Sequence, residues 1–341
     1  MTTTAIVLLA AGQGTRMNSK YQKILHDVGG KPMVLHLFEA AEAVANVPPV
    51  VVVGPGGDGV RQLLGQRATY VVQEEQLGTG HAALMAQPVL AGQTDQVIIT
   101  YADMPLLRRE TLQRLAETQA GSGATIVMLS VLGDPASSFG RVVRGQANQV
   151  VEIVEVAEAR KRPNPDTFLN IRELNAGVYC FAADWLWTHV DKLPLRQARS
   201  GPEYYLTDLI ETAVAQNRRI EAIITSDPDE CLGAGTRHEM VAVEKAFRRR
   251  ANNYWLDHGV TLVDPETIYI DPDVVIGQDT VIWPNSYIQG DTTIGEDCVI
   301  GPNTLIRNAT IGHGCRVRQS TVEQVSVADG QQVGPFAHVR K

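Results

Sequence analysis

Ile276, Ile282, Ile288, Ile294, Ile300 and Ile306 recur every six residues. A helix returns to one face about every 3.6 residues and a strand every two. One aliphatic residue in six fits neither run when turn residues interrupt it, and Gly277, Pro284, Asn285, Gly295, Gly301, Pro302 and Asn303 fall between. A six-residue aliphatic period with turn residues between is the hexapeptide repeat of a left-handed parallel β-helix. Each hexad forms one flat side, three sides make a coil, and the isoleucines stack inside. Ile311, Val317 and Val322 continue the series at near-six spacing. A short solenoid stacks little core and leaves an open end. Residues 261–341 are therefore expected to form this element.

The preceding chain obeys a different rule. At 341 residues the whole chain is too long for one ordinary core, so two domains are expected. Over residues 1–228, short apolar runs alternate with helical stretches. Ala5–Leu9, Val50–Val53, Tyr70–Gln73 and Val97–Tyr101 read as strands; Pro32–Ala45, Gly80–Leu90 and Glu110–Ala120 read as helices. That alternation predicts an α/β domain, a Rossmann-like, mostly parallel sheet with helices on both faces. Ligands of such sheets lie at the carboxyl ends of the strands. Residues 229–260 read as a linker helix, with Met240, Val243, Phe247, Ala251 and Tyr254 as one apolar stripe and Gly259 as its end.

Three stretches sit at expected strand ends. In the first, an apolar run ends in Gly12-x-Gly14-Thr15-Arg16, with Lys23 following. Glycines free a backbone to turn and aim N–H groups at an anion, and Arg16 and Lys23 add positive charge where phosphates would sit. No Gly-Lys-Ser/Thr closes a Walker A loop, and Met17 occupies the third glycine position of a dinucleotide fingerprint. In the second, Gln73 leads into Leu77-Gly78-Thr79-Gly80-His81. A side-chain amide offers a paired donor and acceptor, which suits a pyrimidine edge, and the glycines allow close approach; the alternative is a polar loop capping the next helix through Thr79. In the third, Asp103 follows Tyr101-Ala102 and precedes Met104-Pro105. A carboxylate there is well placed for a hard cation, or for a helix cap.

Composition narrows the partners. A net charge of −8 argues against nucleic acid and membrane surfaces. The one basic run, Arg248-Arg249-Arg250, reads as a solvated helix face. Cys180, Cys231, Cys298 and Cys315 are scattered and read as buried thiols, with no disulfide frame or zinc site. The first residues have no basic leader and too short an apolar run for a signal or membrane span, so a cytoplasmic location is expected.

Together these stretches resemble the sugar-phosphate nucleotidyltransferases. Residues 12–23 are similar to the signature G-x-G-T-R-M followed by P-K, with Gln22 in the proline's place. Residues 73–82 closely resemble Q-x-E-Q-L-G-T-G/A-H-A, the base-reading loop of the uridylyltransferases that make UDP-N-acetylglucosamine. Residues 101–106 resemble Y-G-D-x-P-L, with Ala102 replacing the glycine. Gly140-Arg141, Ile153-Val154-Glu155 and Asn175-Ala176-Gly177 resemble further motifs, although the lysine expected just after Glu155 is absent. From the residues alone these three fit equally a turn glycine, a strand-face Glu and a turn Asn. Gly201–Asp208 resembles G-E-Y-Y-L-T-D with Pro202 inserted; its tyrosines could as well be core and Thr207-Asp208 a helix cap. Gly233-Ala234-Gly235-Thr236-Arg237 resembles G-V-N-x-R, where the Asn is a second metal ligand; Gly235 has no side chain to serve.

The resemblance implies a GT-A-like nucleotidyltransferase fold, Mg²⁺ as cofactor, UTP and N-acetylglucosamine-1-phosphate as substrates, and a role in cell-wall peptidoglycan biogenesis. It implies a homotrimer through the β-helix. Arg16, Lys23 and Asp103 would be catalytic, with Asp103 the metal ligand and metal binding weakened at Gly235. Nucleotide contacts would come from Leu9, Ala10, Ala11, Gly12, Gly14, Thr15, Gln73, Gly78, Thr79, Tyr101 and Ala102. Gly140, Glu155 and Asn175 would face the sugar, and Lys23, Asp103, Thr207 and Gly235 would complete the nucleotide and sugar contacts. Ala102, with its added methyl, is expected to crowd the nucleotide if the backbone passes close. The final residues resemble the entry into an acetyltransferase part whose later coils lie beyond, so no acetyl transfer is expected. Two rivals share the scaffold: another sugar-phosphate nucleotidyltransferase using glucose-1-phosphate or dTTP, and a non-catalytic trimeric nucleotide-binding subunit.

Overall fold

The structure, a computed structural model, describes residues 2–198 and 201–341. It comprises two compact units. One is built from residues up to Leu25 and from Met33–Arg237; the other from His26–Pro32 and His238–Lys341.

The first unit is organised on a nine-stranded sheet. In chain order its main elements are β1 (Thr4–Ala10), α1 (Met33–Glu42), β2 (Val50–Val53), β3 (Thr69–Val72), α2 (Thr79–Leu84), β4 (Gln96–Tyr101), α3 (Arg109–Ser122), β5 (Ile126–Leu132), β6 (Arg141–Arg144), β7 (Val150–Val154) and β8 (Glu173–Ala182). A two-stranded ribbon, β9 (Leu195–Ala198) and β10 (Gly201–Tyr204), then α4 (Asp208–Ala215) and β11 (Ile220–Ile224), complete it. The strand order is β11-β5-β8-β4-β1-β2-β3, and only β8 runs antiparallel to its neighbours on that path. Alternate residues of β1 face opposite ways, yet both faces are core. Ala5 and Val7 join one apolar cluster, Ile6 and Leu8 the other. Burial on both faces is why the strands read as continuous apolar runs.

Two expected helices are shorter. The stretch from Gly80 splits into α2 and a turn over Gln87–Leu90. Pro88 explains the break, since it has no N–H to donate to Leu84 four residues back. The helix expected from Pro32 starts at Met33, because Pro32 pairs with Asp27 in a ribbon of the second unit.

In that second unit, α5 runs Arg237–Asp257, not from 229; Pro228–Cys231 is a separate single turn. Val243 and Ala246 are buried, while Tyr254, placed in the stripe from sequence, is exposed. Asn252 replaces it as an anchor, its buried amide donating to Pro265 O at 2.7 Å and Ile268 O at 3.2 Å. Arg248 lies over the Tyr269 ring at 4.0 Å, so this arginine is not a solvated one. The ribbon at 27–32 joins through Gly29 N–H to Glu244 Oε2, 2.8 Å, and Lys31 to Asp273, 3.5 Å.

Fourteen short strands follow in three parallel sheets, the arrangement hexapeptide repeats give a left-handed β-helix. One ladder stacks Ile270, Ile288, Ile306 and Val322; another stacks Ile276, Ile294, Ile311 and Val327. Ile288 to Ile306 is one coil of three hexads, and the coils shorten after Ile306 as the spacing drifts from six. Cys298 and Cys315 are buried inside this stack, Cys180 and Cys231 in the first unit, and all four are free thiols. Ile300 is fully buried. Ile300→Ala is expected to cost about 2–5 kcal/mol, read as a lower denaturant midpoint for this unit; an unmoved midpoint would contradict a stacked isoleucine core.

Candidate active site

β1 and β4 are adjacent and parallel, with Leu9 opposite Tyr101. The glycine loop after β1 and the aspartate after β4 therefore leave the sheet side by side. Ala102 N–H donates to Leu9 O at 3.1 Å, carrying the pairing one step past the strand. Beyond Ala11, a single 3-10 turn over Thr15–Met17 buries Met17 and leaves Arg16 exposed. A second such turn, Lys23–Leu25, brings the chain back beyond the carboxyl end of β4. There Lys23 Nζ meets Asp103 Oδ2 at 2.5 Å, the two side chains 16% and 20% exposed. Gly14 makes this possible: its φ is +63°, and a Cβ would sit 2.6 Å from Lys23 Cβ. Gln22, at the position where the resemblance has proline, has a buried Oε1 with no hydrogen-bond partner among the described residues, a local cost of about 1–3 kcal/mol.

The second loop is tied to the first by Gln76, whose Nε2 donates to Ala11 O at 2.5 Å. Gln73 follows β3 and is only 3% exposed. Its Nε2 donates to Gly78 O at 3.0 Å and lies 3.2 Å from His81 Nδ1. The amide was expected to offer donor and acceptor alike; the donor half is engaged within the protein, and Oε1 remains. Gly78, at φ +93°, does permit a close approach, but by Tyr204: a Cβ would meet Tyr204 O at 2.7 Å. Tyr204 N–H donates to Leu77 O at 2.8 Å, so β10 braces this loop. Thr79 makes no helix cap. Its hydroxyl accepts from Leu206 N–H at 3.0 Å and bonds the Tyr101 hydroxyl.

Tyr101 joins the base loop to the sugar-side residues. Burial pushes its hydroxyl well up, and Glu155 and Asp103 add to the rise. Glu155 reaches the same place from the end of β7, and a methyl at Gly140 would lie 3.1 Å from its Oε1. Burial raises the Glu155 carboxyl; Glu158 adds, Arg141 opposes, and Asp208 adds. Asn175 Oδ1 accepts from Gly177 N–H at 3.0 Å and the Tyr179 hydroxyl at 2.8 Å, which leaves its amide nitrogen as the outward group. Thr207 stands at the start of α4 without a side-chain capping bond. Asp208 is not a cap either, since Arg196 holds it from Nε at 2.9 Å and Nη2 at 3.0 Å.

The Ala102 methyl is fully buried among the core residues on one face of the sheet. The segment at Gly235 does reach the aspartate: Ala234 N–H donates to Asp103 O at 3.2 Å, and a methyl on Gly233 would lie 3.9 Å from the carboxyl. No group of three His, Cys, Asp or Glu side chains gathers as a cage among the described residues. One hard carboxylate at a strand end fits a cation that arrives with phosphate oxygens and keeps its waters.

Sequence reading assigned no role to Arg141, Arg196 or His81. Arg141 is 1% exposed and donates to Pro135 O at 2.5 Å and to Phe139 O, fastening the loop before Gly140. Arg196 and Asp208 meet across a turn with no periodic spacing, so no local pattern marks them. His81 lies inside the quoted motif, and only the three-dimensional contact reveals its partner.

A cation and a carboxylate paired beyond the carboxyl ends of adjacent strands, next to a loop tied back to the first, suit the transfer of a nucleotide's phosphate, and a MobA-like NTP transferase domain model matches residues 6–201: the chain is a nucleotidyltransferase. A bacterial transferase hexapeptide model of six repeats matches residues 273–308. Similarity extends over nearly the whole length to Bifunctional protein GlmU of Exiguobacterium sibiricum, 42% identical over 335 residues, 98% of this chain and 73% of that protein. The GlmU proteins of Shouchella clausii, 40% identical, and Clostridium perfringens, 42% identical, are each matched over 98% of this chain and 72% of their own length. The chain belongs to the GlmU family. Membership and the transferase domain favour the uridylyltransferase reading over both rivals. No helix among the described residues is long and apolar enough to cross a membrane.

Proposed function

We propose that this chain transfers UMP from UTP to N-acetylglucosamine-1-phosphate, giving UDP-N-acetylglucosamine and pyrophosphate. The sugar phosphate oxygen attacks the α-phosphorus in line; the bond to the β-phosphate oxygen breaks, and pyrophosphate departs. Such a reaction requires positioning and charge neutralisation, with no covalent nucleophile on the protein. Lys23 holds the α-phosphate and the attacking phosphate. Arg16 neutralises the leaving pyrophosphate. The backbone from Leu9 to Thr15 cradles the phosphates, Gln73, Gly78 and Thr79 take the uracil, and Gly140, Glu155, Asn175 and Thr207 take the sugar.

Asp103 would hold Mg²⁺ with little help from Gly235, and the ion when bound spreads positive charge over the phosphate oxygens. The observation that carries this reading is the Lys23–Asp103 pair, held at the ends of adjacent strands beside the Gln73 loop. A homotrimer through the solenoid is supported by its hexapeptide repeats and by exposed apolar side chains on it, Val275, Trp283 and Tyr287. Sedimentation is expected to give three times the chain mass; a monomer at micromolar concentration would contradict it. A panel of UTP and dTTP against N-acetylglucosamine-1-phosphate and glucose-1-phosphate, read as pyrophosphate release, tests the substrates. Faster turnover of glucose-1-phosphate would reject the acetamido sugar.

A further inference from the structure

We propose that His81, which takes no part in the phosphate chemistry, sharpens the choice of base by locking, together with the Gly78 carbonyl, the Gln73 amide with its oxygen forward. The inference rests on the uridylyltransferase reading and deepens it.

Gly78 O can only accept, so the Gln73 atom 3.0 Å from it is the nitrogen. The amide orientation is thus set by chemistry. The second amide hydrogen has His81 Nδ1 before it at 3.2 Å. Nδ1 can accept there only in a neutral ring with its proton on Nε2. Both hydrogens of the amide are then engaged, and Oε1 is the one polar atom of the side chain left over. Rotating the amide would set Oε1 against the Gly78 carbonyl and would also require the His81 proton to move from Nε2 to Nδ1. At 3% exposure, water cannot relieve that clash cheaply.

An acceptor facing the base demands a donor. Uracil and thymine present N3–H; cytosine presents an N3 lone pair. Acceptor against acceptor leaves two buried groups unpaired, the situation in which a polar site rejects an analogue most strongly. His81 is a positioning residue. It stands in the first turn of α2, packed obliquely against Tyr204 with ring centroids 6.5 Å apart, and acts through Gln73.

The test compares kcat/KM for UTP, dTTP and CTP in the wild type, His81→Leu and His81→Asn. In His81→Leu one barrier to amide rotation is gone, and the preference for UTP over CTP is expected to fall about tenfold or more. The preference for UTP over dTTP stays within about twofold, because both bases carry N3–H. His81→Asn, whose Oδ1 offers an acceptor near the place of Nδ1, restores the discrimination against CTP. Long-range ¹H–¹⁵N spectra of histidine-labelled wild type should show His81 as the Nε2–H tautomer, independent of any variant's folding. An Nδ1–H tautomer, an unchanged UTP-to-CTP ratio in His81→Leu, or an equal loss with all three nucleotides would overturn the proposal. A wild type that uses UTP and CTP alike overturns this proposal alone. A wild type inert with UTP overturns the uridylyltransferase reading itself.

Discussion

Lys23→Ala is expected to lower turnover about 10²-fold or more, the scale on which removing one preorganised charge-stabilising donor acts. The ammonium sits 2.5 Å from Asp103, which follows β4 beside β1. Its loss should appear in kcat more than in KM, because charge on the phosphate oxygens shifts during transfer and the ground state needs less of it. Unpairing Asp103 should also tighten the free protein's hold on Mg²⁺, which calorimetry without nucleotide would detect. Turnover close to wild type would remove Lys23 from the mechanism.

Asp103→Asn is expected to cost about 10²–10³-fold and to shift the Mg²⁺ dependence to higher concentration. Asp103 is the carboxylate assigned to the ion, and Gly235 contributes no side chain beside it. The double variant Lys23→Ala/Asp103→Asn should lose less than the product of the single losses, because contacting groups do not act independently. A strictly multiplicative loss would mean that the two never share a phosphate or an ion.

The sequence made the solenoid legible almost to the residue, because each six-residue step puts one aliphatic side chain into a narrow prism. Ile300 and Ile306 have no other place to go. The sheet was legible where both faces are covered, as in β1 and β2, and less so at β6 to β8, where an antiparallel insertion leaves mixed patterns. The ribbon at 27–32 was not legible as part of the second unit. Contacts such as Gly29 with Glu244, more than two hundred residues apart, decide that. In the site, residue types were readable and directions were not. Ala102 turns its methyl into the core since it continues the alternation of β4, and Gln73 spends its nitrogen on a carbonyl five residues ahead. The Gln73 bond has no signature in spacing, and the alternation that turns Ala102 inward is usable only once the bounds of β4 are known.

The most direct measurement is the rate of pyrophosphate formation from UTP, with N-acetylglucosamine-1-phosphate and Mg²⁺ each present or omitted. The account predicts steady release only when all three are together, with UDP-N-acetylglucosamine formed in equal amount. Release that ignores the sugar phosphate, or none with all three present, would contradict it.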